Sequence, residues 1–109
     1  MNRKNIYDDK CPVLYALNII SGKWRLPILL HLKDGSLRYN QLKRELNGIT
    51  NIMLARSLQD LEEYGLINRV QYSEMPPHVE YFLTENARKL LPAINSIQEW
   101  GLEQLQKLK

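Results

Sequence analysis

Two short amphipathic segments joined by a glycine turn, then two runs rich in β-branched and aromatic residues, predict a mainly α chain with a small β-hairpin wing. That combination is a winged helix-turn-helix. A third observation, an apolar stripe continuing to the end of the chain, predicts a dimer formed through the N- and C-terminal helices. With 109 residues there is enough chain for one core and too little for two, so residues 1–109 are read as a single domain.

The stretch Met1 to Lys10 is polar and lacks the apolar run of a secretion signal. No uninterrupted apolar run approaches the roughly 18 residues needed to cross a bilayer, so a cytoplasmic protein is expected. Pro12 can open a first helix, because its missing N–H would be unpaired there in any case. Val13, Leu14, Leu17 and Ile20 form its stripe, which Ser21-Gly22 breaks. Trp24, Ile28, Leu29 and Leu32 make a second stripe, ended by Asp34-Gly35; Pro27 inside it should kink or delay that helix.

Residues 39–65 are the helix-turn-helix. Tyr39, Leu42 and Leu46 recur at helical spacing, and Asn47-Gly48 supplies a left-handed stop. Thr50 is a good N-cap for the next helix, and Ile49 before it can staple onto Leu54. Leu54, Leu58 and Leu61 line its buried face until Gly65. Residues 66–84 are the wing: Leu66 to Ser73 and Val79 to Thr84 read as strands, with Glu74-Met75-Pro76-Pro77-His78 as irregular chain between them. Thr84 then caps a long dimerisation helix over 85–108. Its stripe is Ala87, Leu90, Leu91, Ile94, Ile97, Gly101, Leu105 and Leu108, with Trp100 and Leu102 broadening it and Pro92 bending it.

Net charge is +3, but its distribution is uneven. Up to Arg44 there are nine Lys and Arg against three Asp, and from Glu45 onward six against nine acids. A basic half suits a polyanionic partner. With the leucines inward, Ile52, Arg56, Gln59 and Glu63 face out from the second helix of the motif. Groove-reading side chains cluster at the N-terminal end of such a helix, which selects Thr50, Asn51, Ile52, Ala55, Arg56 and Gln59 as DNA-facing candidates. Arg56 can pair bidentately with guanine and Gln59 or Asn51 with adenine, while Ile52 or Ala55 can meet a thymine methyl. The competing use of Arg56 is a helical ion pair with Asp60. Phosphate contacts are expected from Arg38, Asn40, Lys43 and Arg44, with Arg69 and His78 of the wing as weaker ones.

Leu102, Leu105 and Leu108 with Trp100 would be an exposed ridge on a lone subunit, so a second copy is the expected cover. Val13, Leu14, Leu17, Ile94, Ile97, Trp100, Gly101 and Leu105 are the expected interface. Two recognition helices roughly 34 Å apart would then read a pseudo-palindromic operator in double-stranded DNA. One cysteine, Cys11, excludes an internal disulfide. Its place before Pro12 and after Lys10 favours thiolate, against the plainer reading of a small packed side chain. His31, His78 and Cys11 are too scattered for a metal site, and neither a phosphate-cradling glycine loop nor a nucleophile elbow is present. No cofactor and no enzymatic activity are expected.

Several pairs and triplets resemble the HxlR family of bacterial regulators within the MarR-like group. They are Cys11-Pro12, Gly22-Lys23-Trp24, Asp34-Gly35, Arg38-Tyr39, then Leu58, Leu61, Glu62 and Gly65-Leu66. Pro76-Pro77, Val79-Glu80-Tyr81, Leu83-Thr84-Glu85 and Trp100-Gly101 follow in order. The resemblance implies a homodimeric, sequence-specific DNA-binding transcription regulator, a repressor in the leading reading. It also implies a role for Cys11 as an oxidant or electrophile sensor, as for a cysteine near this position in some members. The alternative is a winged-helix protein-interaction module with weak, non-specific DNA binding.

Overall fold

Cys11 has extended backbone (φ −85°, ψ 108°), and Pro12 follows it as the first helical residue, so the first helix starts where proline costs nothing. A computed structural model describes residues 11–108. In order they form α1 (Pro12–Ile20), α2 (Arg25–His31), β1 (Leu37–Arg38), α3 (Tyr39–Glu45) and α4 (Asn51–Glu63). Next come β2 (Ile67–Glu74), β3 (Pro77–Leu83), α5 (Glu85–Arg88) and α6 (Leu91–Lys107). Met1 to Lys10, including the cation expected beside Cys11, lie outside the described residues.

One core unites these elements. Ile28, Leu29 and Leu32 of the second stripe meet Leu42 and Leu46, then Leu54, Leu58 and Leu61, and finally Ile67, Tyr81 and Leu83 of the sheet. Ile49 is buried in the same cluster as Leu54, as a staple requires. Gly48 (φ +90°) closes the turn between α3 and α4 in the left-handed region, and Gly65 (φ +73°) does so after α4. Among the described residues no single helix is long and apolar enough to cross a membrane.

Four expectations need correction. Pro27 does not delay α2: the helix starts at Arg25, and Pro27 is its third residue, where an N–H would have no intrahelical partner. The sheet has three strands in the order β1-β3-β2, because Leu37 and Arg38 pair antiparallel with Tyr81 and Glu80. The wing is longer than its sequence suggests. Glu74 pairs with Pro77 and Ser73 with His78, leaving only Met75 and Pro76 for the turn. Pro77 is tolerated as the first residue of its strand. Last, the terminal segment is not one helix bent at Pro92. Thr84 caps α5 by accepting from the Ala87 N–H at 3.1 Å, and the chain breaks at Lys89-Leu90. Pro92 then sits in the first turn of a new helix.

Candidate nucleic-acid interface

The geometry of α4 is set at its first turn. Thr50 is extended, and its hydroxyl oxygen accepts from the Met53 N–H at 3.1 Å. The Tyr39 hydroxyl of α3 donates to the Asn51 carbonyl at 3.1 Å and lies 3.3 Å from the Asn51 side-chain oxygen. Tyr39 meets Asn51 only at its oxygens, so the Asn51 amide nitrogen keeps its donors. Leu54, Leu58 and Leu61 are 0%, 3% and 0% exposed, so the opposite face is bare. Thr50, Asn51, Ile52, Ala55, Arg56, Gln59 and Glu63 are all exposed, Ile52 at 73%.

Arg56 and Asp60 do not pair as helical neighbours. Asp60 accepts from Arg25 Nη2 of α2 at 2.9 Å. Arg25 Nη1 also donates to the Asn18 and Ile19 carbonyls at the end of α1, at 3.2 and 3.1 Å, and its guanidinium lies 5.3 Å from the centre of the Tyr64 ring. The hydrogen bond that Arg25 donates to Asp60 raises the Arg25 pKa further, against the opposing effect of burial. Among the described residues Arg56 has no ion pair and stands clear on the outer face. Sequence reasoning missed Arg25, because its partners lie 6, 7 and 35 positions away and no local pattern marks them.

Beside α4 runs an open groove of about 550 Å³ between α3 and the wing. Arg38, Asn40, Arg44 and Arg69 line it together with Tyr39 and Tyr81. A smaller recess shares Tyr39, Arg69 and Tyr81 with it and reaches Ala55 and Gln59 of α4. Burial pushes the Tyr81 hydroxyl pKa up, so that side chain stays neutral. Lys43, half-buried, stands outside the groove lining. Arg69 lies 3.9 Å from Glu62, a loose contact on an exposed side chain.

His78 is tied to side chains of its own subunit. Arg38 Nη2 lies 2.6 Å from His78 Nδ1, and His78 Nε2 lies 2.6 Å from a Glu80 oxygen. Arginine can only donate, so Nδ1 accepts and Nε2–H donates to the carboxylate. Both ring nitrogens are used, and the ring orients Arg38. The Ser36 hydroxyl donates to the other Glu80 oxygen; it and then His78 hold the Glu80 carboxyl below the usual range.

On α1 and α6, Val13, Leu17, Ile97, Trp100 and Leu105 are exposed, and Leu14 and Gly101 are half-buried. Ile94 differs: at 8% exposed it belongs to its own subunit's core and leaves little for a partner. Cys11 is buried at the cap of α1.

A helix-turn-helix backed by a three-stranded wing, with its second helix bare on the outer side, is the architecture of a DNA-binding transcriptional regulator. The chain belongs to the HxlR-like helix-turn-helix family, whose model matches residues 19–109. An uncharacterized HTH-type transcriptional regulator of Methanothermobacter thermautotrophicus is 47% identical over 96 residues, covering 86% of this chain and 73% of that protein. A MarR-family regulator structure from Porphyromonas gingivalis W83 superposes with a TM-score of 0.81 at 43% identity, covering 90% and 96% of the two chains. The redox regulator HypR in its reduced form superposes at 0.83 with 39% identity, covering 89% and 96%.

Proposed function

We propose that this regulator is a cytoplasmic homodimer without catalytic activity that represses transcription by occupying a pseudo-palindromic operator. In this reading residues 39–65 read the duplex, residues 66–84 flank it and residues 85–108 join the two subunits. The observation that carries the reading is the bare outer face of α4, beside which Asp60 is engaged by Arg25 and on which Arg56 is left to meet base edges. Arg38, Arg44 and Asn40 line the adjoining groove at a position suited to phosphates, with Lys43 nearby.

Binding to fragments of the parent genome, measured against competitor DNA, tests this. Arg56→Ala should lower operator affinity by roughly 1–3 kcal/mol and relax one base position, whereas Lys43→Ala should weaken every sequence alike and flatten the salt slope by about one phosphate. Uniform weakening by both substitutions on operator and random DNA would overturn the assignment of base reading to α4.

The proposal extends to a thiol signal at Cys11. In support, the side chain sits at the start of α1, and a structural neighbour is a redox regulator. Its burial calls for an opening of α1 before an oxidant can reach the sulfur. If Cys11→Ser leaves the response of operator binding to diamide intact, the signal enters elsewhere.

A further inference from the structure

The Gly22-Lys23-Trp24 turn leads directly into Arg25, whose guanidinium joins three helices. It takes two of the carbonyls that the end of α1 leaves without helical partners, at 3.2 and 3.1 Å. It also takes the Asp60 carboxylate in the last turn of α4, at 2.9 Å, and covers Tyr64 just after that helix. Asp60 and Tyr64 stand one turn apart on the flank of α4, between its buried leucines and its outer face. A planar fork with several fixed donors holds such a set where an ammonium would hold one member.

We infer that Arg25 is a positioning residue for DNA reading: it fixes the roll of α4 about its own axis by locking that helix to the end of α1. The inference rests on the proposed reading of DNA by α4 and adds what orients that helix. The leucine stripe sets which side of α4 faces inward, but a stripe packed on a single core still allows rotation of some degrees. A bidentate base contact does not, because it needs both of its hydrogen bonds in line. An ionic strut off to one side of the stripe removes that freedom. Because its other end is the last turn of α1, a tilt of α1 and a roll of α4 become one motion. Arg25 itself has its donors turned inward and contributes no phosphate contact.

The charge-neutral pair Arg25→Gln with Asp60→Asn tests this, since it deletes the strut and leaves net charge unchanged. Operator affinity should fall roughly 10-fold, with affinity for random DNA within about 2-fold and the salt slope unchanged. Arg25→Gln and Asp60→Asn singly should each lose operator preference, and their effects should not add. Amide exchange without DNA should quicken in α4 and in the last turn of α1, and stay unchanged in β2 and β3. Should the pair fail to fold, Asp60→Asn alone carries the test, since it leaves the bonds from Arg25 to α1 in place. Retained operator preference with unchanged exchange would overturn the inference, and so would a salt slope reduced by about one phosphate. If the wild type itself shows no operator preference while exchange quickens as described, the strut stands and the reading of DNA by α4 is what fails.

Discussion

The helices α4 and α6 carry similar amphipathic patterns and meet opposite fates. In α4 every leucine of the stripe is covered by the same chain: Leu54, Leu58 and Leu61 lie in the core. In α6 only Ile94 is buried in that core, with Leu91 packed against its edge, while Ile97, Trp100, Leu105 and Leu108 are 55%, 64%, 59% and 83% exposed. An amphipathic period therefore says that a face is to be buried, without saying by which chain. The difference lies in what precedes each helix. The turn at Gly48 folds α4 back onto α3 and the sheet, whereas the break at Lys89-Leu90 sends α6 away from them, and the longest dimension of the molecule reaches 54 Å.

The contrast can be broken at its strongest point first. Leu54→Ala should destabilise the fold by about 2–5 kcal/mol, because the site is fully enclosed, while Leu108→Ala should change stability by no more than about 0.5 kcal/mol. Urea unfolding monitored by circular dichroism checks both, and equal losses would erase the distinction. Leu105→Glu should weaken self-association by about 2 kcal/mol or more, seen in sedimentation as a shift toward monomer with helicity retained. Unchanged association would mean that this side of α6 is covered by something other than a second copy.

How much of this the sequence discloses follows from the range of each interaction. The α4 face, the stops at Gly48 and Gly65 and the caps at Thr50 and Thr84 are local, and residue types at fixed spacings are enough to place them. β1 escapes notice because two residues, Leu37 and Arg38, have no period; only their partners in β3 make them a strand. Pro92 is misjudged because a proline inside a helical pattern and one in the first turn of a second helix look alike until the break at Lys89-Leu90 is seen. Arg25 with Asp60 and Arg38 with His78 are contacts across 35 and 40 positions, and each alters the role of a candidate DNA-facing residue. Local pattern thus finds α4 and its bare face, and distant pairs decide which of its neighbours are occupied.

Smaller effects sharpen the same comparison. Thr50→Ala should cost about 1 kcal/mol, since the Met53 N–H loses its acceptor, and the loss should appear equally in thermal unfolding and in operator affinity. A cap lost from stability alone would show that DNA restores the first turn of α4. The faintest effect is at the wing. Glu80 is held ionised by Ser36 and His78, so its folded pKa lies below its unfolded one. Its contribution is therefore present above the unfolded carboxylate pKa and lost as pH falls through the lowered folded value. Glu80→Gln should flatten the acid limb of the stability curve, and a curve identical to wild type would remove Glu80 from it.

The pairing of acids along α4 also bears on the kinetics of the proposed DNA binding. Asp60, Glu62 and Glu63 form a negative cluster near the C-terminal end of α4, yet Arg25 neutralises the first and Arg69 sits near the second. At encounter distances a duplex therefore meets far less repulsion there than a count of carboxylates suggests, while Arg38 and Arg44 still draw it toward the neighbouring groove. Diffusional capture should be governed by that lopsided field, giving an association rate that drops with ionic strength even where dissociation does not change.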